Sequence, residues 1–479
     1  LVHYLQNIRI KEEILKTIKE SEDIKMSQQM ETAAHTLEDF GYKQELKRSL
    51  KPWQMAIFGL VFMIPIAPFG IYGFLAEASN NMVPLVYAIG MFAMIFTAFS
   101  YGRMAEAFPI AGSVYAYTSR GINKHLGFMT GWAILLDYIL MPTLIYVVCG
   151  ASMNAIFPEV SILVWAFIFL AIVTFFNIKG IEASAKLSVV ALAFEMVVYV
   201  AFVIFAVMAI LKGTNDTHFT VDPIFNAKNF SLAMVMNGVS IAVLSFLGFD
   251  AISTLAEETK GGGKAVGRAT ISALLILGGL FIFLTWIAGC LWPDFKAFNS
   301  IDTAFYEIAN LAGGKTLLTL CSTATALSWG FAALTAQVAV SRVLFSMSRD
   351  GNFPKAFSKV HPKYQTPYVA TWFIAGVSLI MCVLFQSKIN ELTILVNFGA
   401  LTSFFILNLA VIYYYKIRIK AEGIFKYVIT PLIGAVIVGY VWFSLSNQAK
   451  VLGLVWLACG IVYYIILIKI FKKSAELEL

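Results

Sequence analysis

Residues 62–73 read FMIPIAPFGIYG, and they lie inside the first long apolar run of the chain, from Trp53 to Ala76. A segment that must keep its backbone hydrogen bonds within one helix carries two prolines and two glycines at its middle. Pro65 and Pro68 have no N–H to donate, and their rings crowd the carbonyls four residues earlier, so Val61 and Ile64 are expected to lose their usual donors. In hydrocarbon such carbonyls persist only where protein, water, an ion or a ligand satisfies them. Two readings follow: a proline kink repaired by neighbouring helices, or a break that opens a binding site. A second break at the matching place in the other half of the chain would favour the site.

The surrounding composition places the chain in a bilayer. Of 479 residues, 59% are hydrophobic and 13% charged, with a mean hydropathy of +0.79; a water-soluble domain of this make-up would lack the polar surface to cover itself. Runs long enough to cross roughly 30 Å of hydrocarbon fall at 53–76, 83–100, 126–151, 160–178, 187–211, 231–255, 269–291, 317–344, 369–385, 392–415, 427–445 and 452–471, twelve in all. With the N-terminus in the cytoplasm, all of the 35 Lys and Arg lie on the cytoplasmic side except Lys212, Lys228, Lys296, Lys315, Lys388 and Lys450. That is the positive-inside bias, and it puts both termini in the cytoplasm. The net charge of +7 then reflects topology and anionic lipid, and no nucleic acid is called for.

The five cysteines, Cys149, Cys290, Cys321, Cys382 and Cys459, fall in or beside apolar runs with neither disulfide nor zinc spacing. All five histidines lie outside the runs, which excludes an intramembrane imidazole relay. Residues 1–25 alternate charged and apolar positions without the core and cleavage site of a signal peptide. Residues 1–52 therefore read as a cytoplasmic arm and 472–479 as a cytoplasmic tail.

The matching break is present. Spans one to five occupy 53–211 and spans six to ten 231–415, with spans eleven and twelve at 427–471; span six carries SFLGFDAISTLAEET at 245–259, with Gly248 and Asp250 at mid-depth. A broken leading helix in each half is the pattern of a transporter built from inverted repeats, with the substrate between the breaks. The deep acidic residues are Asp137 in span three, Glu195 in span five and Asp250 in span six, and no Lys, Arg or His sits at comparable depth. Isolated carboxylates there either hold a proton or await a cation. Asp250 is equally readable as a cap on the inner half of span six, and Glu195 as a protonated donor to a neighbouring helix. GGGK at 261–264 lacks the rest of a phosphate loop. Trp53, Trp292 and Tyr427 near span ends fit an interfacial aromatic belt, and Trp329, mid-span in eight, reads as packing or as a gate.

SYGRMAEAFPIAGSVYAYTSRGINKHLGFMTGW (100–132), FLGFDAISTLAEET (246–259) and SRVLFSMSRDGNFPKAFSKVHPKYQTPYVATW (341–372) together resemble the amino acid–polyamine–organocation superfamily. With SFLGFDA, LLDY and VNFGAL, the chain is most similar to its bacterial putrescine importers. The resemblance implies an all-α membrane protein of twelve transmembrane helices, a LeuT-like 5+5 inverted repeat with discontinuous helices one and six, substrate bound between those breaks, and alternating access. Amino acid carriers of this superfamily hold the substrate carboxylate on a Gly-x-Gly turn in helix one. Here the matching positions are Ala67, Pro68, Phe69 and Gly70; Pro68 removes a donor and Phe69 adds bulk, although Phe69, Gly70 and Ile71 are expected to offer N–H groups. Some proton-coupled relatives carry a lysine in helix five where this chain has Glu195.

On this reading Ile64, Ala67, Pro68, Phe69 and Gly70 contact substrate from span one, and Asp137 and Tyr138 from span three. Leu244, Ser245, Phe246, Gly248 and Asp250 do so from span six, and Trp329 from span eight. Glu195 and Asp137 serve coupling. The expected function is secondary import of putrescine or a related amine across the cytoplasmic membrane, coupled to protons and without a cofactor. The alternatives are an amino acid permease or exchanger of the same superfamily and a transporter-like nutrient sensor; a membrane enzyme is disfavoured because no catalytic set occurs at usable spacing.

Overall fold

The structure, a computed structural model, describes residues 37–214, 217–386 and 389–470. The arm residues before 37 and the tail expected at 472–479 lie outside the described residues. Among the described residues eleven helices are long and apolar enough to cross a membrane, and a bent pair, taken as one span, makes a twelfth.

That pair is α1 (Pro52–Met63) and α2 (Pro68–Ser79), set 58° apart. Each begins on a proline, where a missing N–H costs nothing. Then follow α3 (Val83–Ala107), the short α4 (Ser113–Gly121), α5 (Lys124–Ile156), α6 (Ile162–Lys179) and α7 (Ile181–Leu211). Asn123 and Ser161 cap α5 and α6 with their side-chain oxygens, the ordinary means of satisfying a first-turn N–H. Span six is composite: α8 (Leu232–Ala242), a 3₁₀ turn at Val243–Phe246, and a 3₁₀ helix over Asp250–Glu258. It is followed by α9 (Gly262–Leu291), α10 (Ala304–Arg349), α11 (Tyr368–Phe385), α12 (Ile389–Ile412), α13 (Thr430–Ser444) and α14 (Asn447–Ile470). Spans two, seven and eight extend further than the apolar runs at 83–100, 269–291 and 317–344, because polar turns on the helix ends continue the backbone ladder beyond the hydrocarbon. In α10 the span proper starts after Gly313 and Gly314, whose non-helical backbone detaches Ala304–Ala312 as an arm.

Corresponding spans of the two halves pair with each other: α3 packs along α9, and α5 along α10. α5 also packs on α12 and α7 on α10, so α5 and α10 form the central pillar. Buried polar clamps tie these helices together. Asn408 of α12 donates to Thr97 of α3 and accepts from Ser100, at 3.1 and 2.6 Å, and Gln337 of α10 joins Thr174 and Asn177 of α6 at 2.9 and 2.8 Å.

One expectation changes. Tyr427 is not part of an interfacial belt: it is buried, with its ring stacked 4.2 Å from that of Tyr415, whereas Trp53 is exposed as a belt residue would be. The stretch 37–51, the described part of the expected arm, docks on the end of span six. Leu37, Leu46 and Leu50 are buried, Ser49 and Leu50 donate to the Glu258 carbonyl, and Lys260 donates back to Leu50. An apolar residue every few positions among the charges is what lets this segment dock.

Candidate substrate site and its closure

The two breaks are made differently. In span one Ile64 takes a left-handed backbone (φ 55°), and Pro65–Ala67 form a turn before α2. The Ile64 carbonyl, which proline chemistry should have orphaned, accepts from Ala67 N–H at 2.8 Å. The N–H groups of Phe69 and Gly70, expected to be free, donate to Ile66 and Ala67 at 2.9 and 3.1 Å. Three hydrogen bonds within the turn thus replace the helical ladder at Ile64, Ile66 and Ala67. The Phe69 ring stacks on Phe305 of the α10 arm, centroids 4.2 Å apart, and lies 5.8 Å from Phe202 of α7, which fixes α2 at its start.

In span six the break sits at Gly248, with φ +116°. A β-carbon there would stand 2.8 Å from the Phe62 ring in the last turn of α1. Glycine is needed both for the backbone conformation and for the approach of the two breaks. Asp250 closes this turn through its side chain: Oδ1 accepts from Gly248 N–H at 3.2 Å and Oδ2 accepts from the Tyr138 hydroxyl. The capping and functional readings of Asp250 therefore meet in one group. Ser245 shares a 3.2 Å hydrogen bond with Tyr87 of α3, and the Phe246 ring packs against Tyr87 and Phe281. Those two side chains lean toward α3 and α9.

Asp137 neighbours Tyr138 on α5, whose hydroxyl donates to Asp250. It is buried, and its Oδ1 has no hydrogen-bond partner among the described residues. α12 presses against the backbone there: a β-carbon on Gly399, from the VNFGAL stretch, would stand 2.8 Å from Asp137 N. Close by, the Tyr101 hydroxyl is likewise buried without a partner, and its ring meets Phe249 edge-on at 5.7 Å. Asp137, Tyr138 and Asp250 are thus brought together beside the two breaks.

Glu195 stands apart from that group. It is buried on α7 facing Ser328 of α10, and neither carboxylate oxygen nor the Ser328 hydroxyl finds hydrogen-bond geometry among the described residues. Trp329 is half-buried against Cys149, Met153 and Ala326, on the side of α5 and α6.

The basic face is sealed below the site. At the inner end of span six Glu258 pairs with Arg342 through two 2.9 Å bonds, both side chains fully buried. Glu257 receives Arg349 at 2.7 and 3.1 Å and Ala111 N–H at 2.9 Å. Arg349 lies 3.7 Å over the Tyr42 ring. Tyr42 and Tyr115 each donate to Asp350 at 2.5 Å, and Arg120 donates to the Tyr42 oxygen at 2.6 Å. Burial, with Asp350 adding to it, pushes the Tyr42 phenol up to about 12. Sequence reasoning missed this closure. Its visible signal is the adjacent acidic pair Glu257–Glu258 answered by arginines seven residues, or two helical turns, apart at 342 and 349.

The amino acid permease family model matches residues 54–476. The chain is 32% identical over 438 residues to the low-affinity putrescine importer PlaP of Escherichia coli K12, covering 90% of this chain and 95% of that one. It is 26% identical to the branched-chain amino acid permease BcaP of Bacillus subtilis, over 88% and 93% of the two chains. The methylthioribose transporter of the same organism matches at 24%, over 90% and 95%. Twelve apolar spans with a broken first and sixth, and a match over nearly the whole chain, show that this protein is a multi-pass membrane transporter of the amino acid permease family, within the amino acid–polyamine–organocation superfamily.

Proposed function

We propose that the chain is a secondary active importer of putrescine or a related cationic amine across the cytoplasmic membrane, with both termini inside. The carrying observation is the chemistry beside the two breaks. Asp137 presents a buried carboxylate oxygen with no hydrogen-bond partner among the described residues, one residue from the Tyr138 that donates to Asp250, while the span-one turn has spent the N–H groups of Phe69 and Gly70 on its own carbonyls. An ammonium finds an acceptor there; an amino acid's carboxylate finds few donors. The putrescine importer among the relatives points the same way.

In this reading spans one to five and six to ten act as two inverted five-helix units, a division supported by the pairing of α3 with α9 and α5 with α10. An amine enters from the face opposite the Glu257–Arg349 and Glu258–Arg342 pairs and settles against Asp137, with Tyr138 holding Asp250 in place. Glu195, unpaired and separate, carries the coupling proton. Breaking the two ion pairs and undocking residues 37–51 opens the basic face and releases cargo to the cytoplasm.

The second reading, an amino acid permease, rests on the branched-chain permease among the relatives. Proteoliposomes loaded for counterflow separate the two. Excess putrescine or cadaverine is expected to abolish uptake of labelled putrescine while leucine and arginine leave it unchanged. Inhibition by leucine at equal concentration would favour the permease, and no counterflow with any compound would favour a sensor.

A further inference from the structure

On the basic face, outside the transport path, a cavity of about 450 Å³ opens between the start of α5 and the last turns of α14, lined by Asn123, His125, Leu126, Met129, Ile461, Tyr464 and Ile465. We propose that it is a binding site for one anionic phospholipid of the adjoining leaflet, with an acyl chain in the slot and the phosphate at its mouth.

The slot has a rigid back wall. Phe128 stacks on Tyr464 with centroids 4.4 Å apart, and Trp132 on Trp456 at 4.8 Å. The two indoles also exchange hydrogen bonds with each other's backbone carbonyls, both 2.8 Å. α14 cannot close the slot by leaning in, because this stack already sets its distance from α5. The walls at Leu126, Met129, Ile461 and Ile465 are apolar, and at this depth the medium that meets them is lipid.

Charge at the mouth selects the headgroup. Lys124 and His125 stand at the start of α5, and Lys469 follows Ile461 and Ile465 at four-residue intervals, which puts it on the same stripe of α14 one turn nearer the membrane surface. The Tyr464 hydroxyl holds His125 Nδ1 at 2.9 Å, leaving Nε2 for a phosphate oxygen. Among the described residues no acidic one lines the cavity. A basic mouth over an apolar slot between two membrane helices is the arrangement that retains anionic lipid on a cytoplasmic face.

The test uses the full chain in nanodiscs of phosphatidylglycerol and phosphatidylcholine in equal amounts, followed by native mass spectrometry. One phosphatidylglycerol per chain is expected to survive activation, preferred over phosphatidylcholine by at least about fivefold for each basic residue engaged. Lys469→Glu should lower that preference by fivefold or more, and Ile461→Trp, which fills the slot, should remove the retained lipid while the protein still elutes as a single species. Equal retention of both lipids by the wild type, or an unchanged preference in Lys469→Glu, overturns the proposal. So does efficient crosslinking of an Ile461→Cys variant to a second copy with no lipid retained. Should one variant fail to fold, the wild-type lipid ratio and the other variant still decide.

Discussion

Spans one and six are broken at the same depth by opposite means. Span one is broken by what its backbone lacks: two prolines remove donors, Ile64 turns left-handed, and the loose ends are tied within the turn itself. Span six is broken by a glycine and mended by side chains, with Asp250 accepting from Gly248 and from Tyr138 of another helix. Their halves toward the basic face differ as well. The inner half of span six is pinned by two arginines of α10, whereas α1 is tied to that half chiefly through main-chain bonds around Leu50. One break is self-contained and electrically neutral. The other is held in part by a group on a neighbouring helix and carries the charge.

The largest effect is expected where span six is pinned. Arg342→Ala leaves Glu258 buried without its partner and should cost about 3–5 kcal/mol, read as loss of monodisperse protein or a much lower midpoint in thermal unfolding; the double variant Arg342→Met/Glu258→Leu should recover most of it. A near-wild-type single variant would mean that the inner half of span six is held by packing alone. Next comes the break itself. Gly248→Val forces a branched side chain into positive φ and against Phe62, at about 3 kcal/mol, whereas Gly70→Ala, with open space around it, should fall within about 1 kcal/mol of wild type. Equal losses at the two glycines would erase the contrast between the breaks.

A smaller change follows from freeing Asp250. Tyr138→Phe removes its donor from another helix and is expected to weaken amine binding about tenfold, with little change in thermal stability. Unaltered affinity would show that Asp250 is held by its own turn alone. The smallest effect concerns the docked segment. Because the Tyr42 phenol is pushed above its ordinary value to about 12 by burial and then by Asp350, the neutral form is favoured on folding. Its contribution is complete below pH 10, the unfolded value, and is lost only as pH rises through about 12. Hydrogen exchange over residues 37–51 should accordingly show constant protection, after correction for intrinsic rates, from pH 6 to 9; a loss of protection within that window would contradict the assignment.

The span-one break was legible because proline acts through covalent structure that no tertiary contact can hide. Span six was legible in part: Gly248 and Asp250 marked the place, but the choice between capping and function needed Tyr138, which lies 112 positions away. What could not be read was register between helices. Nothing local says that Tyr138 reaches Asp250 while Glu195 turns to Ser328, or that Trp329 packs toward α6, since each depends on how helices are rotated about their axes. The spent N–H groups at Phe69 and Gly70 escaped for a different reason: helix-terminus logic counts donors and does not foresee a turn tight enough to use them. The docked segment 37–51 was obscured by its charges, which outnumber its few buried leucines in any running average.

In the proposed function Asp137, one residue from Tyr138 on α5, receives the cationic end of the cargo. Equilibrium binding of labelled putrescine to purified wild-type protein and to Asp137→Asn, which keeps the shape and removes the charge, tests it most directly. The account predicts a loss of affinity of about thirtyfold or more, with the variant's thermal stability retained. Undiminished binding by well-folded Asp137→Asn would contradict it.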